Sequence, residues 1–121
     1  MKNIYTWAAN PAKRTVTVGD IIEAKGKKIL TQVTANNSLE AKAAEEAGFD
    51  MIIGSASNVK KVRGGSKSLF YTAALELHNY PTAEDVLRGA FKALENGADA
   101  VMTARSMDVV TMLAKEDVPV M

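Results

Sequence analysis

Residues Pro81 to Ser106 read PTAEDVLRGAFKALENGADAVMTARS, and the fold class is decided in this stretch. Val86, Ala90 and Leu94, with Leu87 and Phe91 beside them, recur at three- and four-residue steps. That spacing puts one apolar stripe on a helix. Thr82 sits where a side-chain oxygen can hold the first free amides, and Asp85, three residues on, completes a capping box. Asn96-Gly97 supplies the left-handed stop. The run DAVMT (Asp99 to Thr103) follows at once, short and apolar, as a buried strand does.

The same alternation continues on both sides. Upstream, KILTQVTA (Lys28 to Ala35), DMIIG (Asp50 to Gly54) and SLFYTAAL (Ser68 to Leu75) read as strands, and downstream VPVM (Val118 to Met121) reads as a fifth. Helical stretches separate them: Val18 to Lys25 closed by Gly26, an alanine-rich segment from Ser38 to Gly48, and Ser106 to Lys115 with Val109, Val110 and Leu113 inward. The order is a helix, four strand–helix units and a strand. Near-continuous apolar strands joined by crossover helices give a parallel sheet covered by helices. The handedness of such crossovers leaves an open doubly wound sheet or a barrel. No G-x-G-x-x-G or P-loop follows any strand. The apolar ending at Met121 leaves the last strand without a covering helix, so a continuing or completing chain is expected.

Composition narrows the function classes. The chain has 121 residues, 47% hydrophobic and 24% charged, with a formal net charge of +1 and no cysteine. Such a chain forms one folded domain, whereas a complete barrel takes about 250 residues. The near-zero charge gives no field for nucleic acid or an anionic membrane. Disulfides, thiolate metal sites and cysteine nucleophiles are excluded. No apolar run approaches the roughly 20 residues of a membrane span, so a cytoplasmic location is expected. Residues 1–16 are read as an N-terminal arm and 17–121 as the barrel-type domain. Tyr5 and Trp7 are expected to pack the arm on a neighbouring surface. Lys60, Lys61, Arg63 and Lys67 form the only basic run and are read as a solvated face; Met102, Met107 and Met112 are read as core and interface filler.

From about Thr15 to Met121 five pieces, in order, resemble the ketopantoate hydroxymethyltransferase family of the phosphoenolpyruvate mutase and isocitrate lyase superfamily. They are TVTVGDIIEAKGKKILTQVTANN (Thr15 to Asn37), AEEAGFDMIIGSAS (Ala44 to Ser57), VRGGSKSLFYTAALEL (Val62 to Leu77), ENGADAVMTARS (Glu95 to Ser106) and KEDVPVM (Lys115 to Met121). The resemblance implies an α/β fold of parallel (β/α)8 TIM-barrel type, of which this chain is roughly the first half, four βα units plus a fifth strand. It also implies transfer of a hydroxymethyl group from methylenetetrahydrofolate to 3-methyl-2-oxobutanoate, with magnesium holding the oxo acid. A hard cation between carboxylates at strand ends suits an enolate. Carried over residue by residue, however, the family's carboxylates fall on Ser55, Ala74 and Ala104, the lysine before the last on Met102, and the aspartate of its T-A-Y-D on Asn37. Neither magnesium nor methylenetetrahydrofolate is therefore assigned as cofactor.

Asn36, Asn37, Ser55, Ser57, Glu76, His78 and Arg105 remain where a barrel places its active face. Arg105 is read as a clamp for a substrate carboxylate, its planar fork suiting that geometry beside a helix N-terminus. Asn37, Ser55 and Ser57 line the same mouth. Glu76 or His78 is read as the base that removes an α-proton. The bland reading, polar loop residues facing water, stands beside this for each of them. Two functions stay open: a divergent aldol-type enzyme acting on a small 2-oxo acid, or a barrel-derived binding or assembly protein without the chemistry. Self-association into a homo-oligomer is expected under both, since open parallel edges favour pairing.

Overall fold

A computed structural model describes residues 1–121. Two short strands, β1 (Lys2–Tyr5) and β2 (Pro11–Arg14), open the chain. Then follow α1 (Val18–Ala24), β3 (Gln32–Thr34), α2 (Ser38–Glu46), β4 (Met51–Ser55), a 3-10 turn (Ala56–Asn58) leading into α3 (Val59–Gly65), β5 (Phe70–Leu75), α4 (Ala83–Glu95), β6 (Ala100–Thr103) and α5 (Met107–Lys115). Strands β3, β4, β5 and β6 form one parallel sheet in chain order. Consecutive parallel strands with a helix after each are the arrangement of a barrel wall rather than of a doubly wound sheet, whose strand order reverses. No helix is long and apolar enough to cross a membrane.

The helices stand where capping and periodicity place them. Thr82 accepts from the amide of Asp85 while Asp85 returns a bond to the amide of Thr82, and Val86, Ala90, Ala93 and Leu94 are buried. Thr17 and Asp20 make the same reciprocal cap on α1. Gly97, with φ +114, turns the chain out of α4. The main core lies between sheet and helices and joins Ile52, Tyr71, Ala73, Leu75 and Val101 to Val59, Val62, Val86, Leu94 and Leu113. A smaller cluster, Val16, Met51, Phe70 and Ala100 with Ile21 and Leu30, occupies the opposite sheet face, against which α1 packs.

Several expectations are corrected. The first strand is Gln32–Thr34, not Lys28 to Ala35: it is an edge strand, and its ladder reaches only as far as β4 runs beside it. The fifth strand is reduced to a single parallel bridge between Val101 and Val120. The arm is an antiparallel hairpin, with Lys2 opposite Arg14 and Tyr5 opposite Pro11. Trp7 from its turn packs the arm on α4 as expected, stacking on Phe91 at 5.7 Å, but Tyr5 stays 77% exposed. Met107 is exposed, because α5 turns its first residue outward.

Arg63 departs furthest from its reading as part of a solvated run. Lys60, Lys61 and Lys67 are exposed, but the Arg63 side chain is only 12% exposed and donates through Nη2 to Asp99 Oδ2 at 2.8 Å. Arg14, 3% exposed, donates through Nε to both Asp99 oxygens at 2.9 Å. The amide of Tyr71 donates to Asp99 Oδ2 at 3.0 Å. One carboxylate thus ties β2, α3, β5 and the start of β6 together. Burial lowers the Arg63 guanidinium to about 10, with Asp99 opposing that shift and Arg14 adding to it. Two buried cations held by one anion stay favourable only while the anion is present.

Asp99→Ala is expected to lower unfolding free energy by about 3–5 kcal/mol, the usual cost of uncompensated buried charge. Arg88→Ala, which breaks only the exposed α4 pair with Glu84, should scarcely move the urea midpoint. A second expectation concerns acid. The hydrogen bond from Lys2 is the largest cause holding Asp20 down from 3.8 to about 2. A depressed carboxylate contributes stability that is present above its unfolded value and lost as pH falls through the folded one. The Lys2–Asp20 tether therefore weakens between about pH 4 and pH 2. Asp20→Asn should remove that part of the acid transition.

Candidate functional site

The carboxyl ends of the four parallel strands form one rim. Register places Ser55, Ala74 and Met102 in a row across β4, β5 and β6. Side chains alternate along a strand, so this row shares a face with Met51, Phe70 and Ala100 of the smaller cluster. Glu76 and Ala104 lie two positions beyond the Ala74–Met102 pair.

The rim is organised around Asn36. Its Oδ1 accepts from the amide of Ser55 at 2.8 Å and from Asn58 Nδ2 at 3.2 Å. Its own amide donates to Glu40 Oε2 at 3.1 Å. The hydroxyls of Ser55 and Ser57 lie 2.8 Å apart, and the amide of Ser57 donates to Ser55 Oγ at 3.3 Å. Gly54 permits the close approach beneath them. A Cβ there would fall 2.1 Å from the carbonyl oxygen of Ala35, 2.9 Å from the Tyr71 hydroxyl and 3.0 Å from Asn36 Oδ1. The Tyr71 hydroxyl donates to the carbonyl of Ser55 at 2.9 Å. Burial pushes the Tyr71 phenol up to about 12, the Arg63 guanidinium over its ring opposing and Glu76 reinforcing the shift.

The sequence-derived residues divide into groups. Ser55 and Ser57 are brought together, and Asn36 holds the strand end that carries them. Asn37 lies next to them but spends Oδ1 on the amide of Glu40, 2.9 Å away, as the N-cap of α2. Glu76 follows β5, accepts from Asn79 Nδ2 at 3.0 Å and is half-buried. Its charge also raises Tyr80, after burial as the larger cause. His78 is exposed on the same loop. Arg105 stands apart at the end of β6, with no hydrogen bond to the Asn36 and Ser55 cluster. Its Nε is the one buried side-chain nitrogen or oxygen in the chain without a partner. Ser106 is the N-cap of α5 but makes no capping bond through its side chain. The sequence reading missed Tyr71 and Asn58. Strand alternation puts Tyr71 among the helix-facing residues and gives no sign that its hydroxyl reaches the rim.

The residues present do not fit a magnesium ion. No group of three or more His, Asp or Glu side chains gathers to hold a metal, and Ser55, Ala74 and Ala104, on which the resemblance would place carboxylates, carry none. The arrangement offers hydroxyl and amide groups at β4, one half-buried carboxylate after β5 and, after β6, one guanidinium whose buried Nε has no partner.

No family model matches the chain. It is 33% identical over 134 aligned residues to a 3-methyl-2-oxobutanoate hydroxymethyltransferase of Pyrobaculum calidifontis, covering 90% of this chain and 51% of that one. It is 29% identical to the Kosmotoga olearia protein of the same name, over 83% and 46%. The chain spans about half the length of these curated relatives. Among solved structures, a 2,3-dimethylmalate lyase of the phosphoenolpyruvate mutase and isocitrate lyase superfamily superposes with a TM-score of 0.62 at 14% identity, over 87% of this chain and 52% of that one. A phosphonopyruvate hydrolase in complex with oxalate and magnesium gives 0.59 at 20% identity, over 73% and 38%. The chain therefore resembles half of a ketopantoate hydroxymethyltransferase, and its fold is the barrel type of that superfamily.

Tyr71→Phe leaves the Ser55 carbonyl without its buried donor and should cost about 1 kcal/mol. Because the folded phenol lies above its unfolded value of 10.0, its contribution is intact below about pH 10. It is lost as pH rises towards about 12. Alkaline unfolding followed by circular dichroism should lose that step in the variant.

Proposed function

We propose that the rim formed by Ser55, Ser57, Glu76 and Arg105 receives a small 2-oxo acid, and that the chain carries a divergent form of ketopantoate hydroxymethyltransferase-like carbon–carbon chemistry. The observation that carries this reading is the Arg105 Nε, buried yet without a partner: such a donor calls for an acceptor, and the guanidinium fork of Arg105 suits a carboxylate. In this reading Arg105 anchors the carboxylate, with Asn37 at the edge of the same mouth. The Ser55 and Ser57 hydroxyls face the 2-oxo group and donate to it as negative charge builds on its oxygen. Glu76 or His78 takes the proton from the carbon next to the carbonyl, which leaves an enolate ready to attack a one-carbon electrophile. No step passes through magnesium, whose carboxylate ligands are replaced at Ser55, Ala74 and Ala104. The relatives' name supports the substrate class. A cytoplasmic, oligomeric protein is part of the same reading.

A second reading rests on one observation: all three carboxylate positions are vacated together. Here the rim binds an oxo acid or supports assembly without turning substrate over. The two readings separate in deuterated water with 3-methyl-2-oxobutanoate, followed by NMR. Exchange of the C3 proton is expected. Glu76→Gln or His78→Ala should slow it by about 100-fold, identifying the base. Arg105→Ala should raise KM by about tenfold or more. Saturable binding without exchange would replace the first reading by the second, and neither binding nor exchange would overturn both.

A further inference from the structure

At the amino ends of the strands, away from the rim, a cleft of about 700 Å³ lies between the hairpin and the loop that joins α3 to β5. Lys13 and Arg14 of β2, Arg63 of α3, Lys67 of the loop and Gly97 ahead of β6 line it, and no residue after Gly97 does. Hydrogen bonds to the backbone bring the cations together. Arg14 Nη1 donates to the carbonyl of Lys13 at 3.0 Å and to that of Lys67 at 2.9 Å, so two lysines flank one guanidinium. Arg14 Nη2 and Arg63 Nε meet on the Gly97 carbonyl, at 3.4 and 2.8 Å.

The charges gathered here do not balance. Arg14 and Arg63 share the single carboxylate of Asp99, which leaves one positive charge over in a largely buried place. One hydrogen of each Nη2 is left over as well: that of Arg63 bonds only to Asp99, that of Arg14 only to Gly97. Lys13 and Lys67 are exposed, and neither takes part in an ion pair within the chain. The proximity of Arg14 helps to hold Arg63 below its usual range, as like charges do. Negative charge on the cleft wall comes from Glu45, whose carboxylate accepts from the Ser66 and Ser68 hydroxyls, and from the carbonyl end of α3.

We propose that this cleft binds a phosphate group, carried by the free ion or by a small phosphorylated molecule. A phosphate group brings about two negative charges and three strong acceptor oxygens. It therefore gains more from several converging cations than a single carboxylate does. Its oxygens lie against Lys13 and Lys67 rather than Glu45, and the surplus charge of the Arg14–Arg63–Asp99 knot attracts it from below. No aromatic side chain lines the cleft. A base would have nothing to stack on, so nucleic acid is not the ligand. This site is separate from the rim, and its occupation would stabilise the fold at the amino ends of β5 and β6.

The test titrates the 121-residue chain with inorganic phosphate and with glycerol phosphate by calorimetry at low salt, with folding followed by circular dichroism. Saturable binding that weakens with added salt is expected. Lys13→Glu with Lys67→Glu should weaken it by about tenfold or more, with helix content unchanged. Lys60→Glu with Lys61→Glu makes the same charge change on α3 outside the cleft. That pair should alter affinity by no more than about twofold. Glu45→Gln keeps an acceptor for the serines and should tighten binding by about threefold. Tighter binding of glycerol phosphate than of the free ion assigns the cleft to a phosphorylated molecule; the reverse assigns it to inorganic phosphate. Absence of binding at millimolar concentration would overturn the proposal. So would equal losses in the two lysine pairs, which would mark a diffuse attraction to the surface.

Discussion

Asp99 opens β6, and its carboxylate accepts from two arginines and a strand amide that arrive from three other parts of the chain. Arg14 brings the hairpin, Arg63 brings the end of α3, and the Tyr71 amide fixes the start of β5. The charge is not isolated: Arg14 also donates to the carbonyls of Lys13 and Lys67, and Arg63 to those of Gly97 and Leu69. Nearly all polar groups in this knot are therefore paired, which makes the buried charges tolerable. With the amino ends of β5 and β6 fixed here, their register sets which residues reach the carboxyl rim together. The amino face serves stability and the carboxyl face is left to vary, the usual division in barrel proteins.

Asn36, Gly54 and Tyr71 hold the end of β4 in a tight, fully bonded arrangement, and Gly54 has no room for a larger residue. The row beyond it, Ser55, Ala74 and Met102, carries no charge. Charge at the rim is carried by Glu40, beside Asn36, and by Glu76 and Arg105, which follow neighbouring strands. A site with these groups can orient an anion and move a proton, but it does not concentrate negative charge.

Much of the fold was legible in the residues. Thr82, Asp85 and Gly97 marked both ends of α4 because capping is a local transaction between a side chain and nearby amides. The strands DMIIG, SLFYTAAL and DAVMT were recognisable because central strands are apolar on both faces. The edges were less legible. β3 proved shorter and Val118–Met121 proved a single bridge, since a strand's length depends on the neighbour it pairs with. The site was legible as a set of polar residues at strand ends, but its internal bonding was not. Nothing in the neighbourhood of Tyr71 announces a hydrogen bond to Ser55, sixteen residues away on another strand.

The sequence by itself determined the order of elements, the parallel sheet and the family likeness. Each of these is a property of residue type and spacing, readable from neighbours along the chain. Only the tertiary structure decided that Arg63 is buried rather than solvated, that the first residues form a hairpin, and that the buried Arg105 Nε has no partner. These depend on which distant segments meet. Burial, charge pairing and hydrogen-bond satisfaction are settled between elements, so the same arginine can be a surface cation or the centre of the fold.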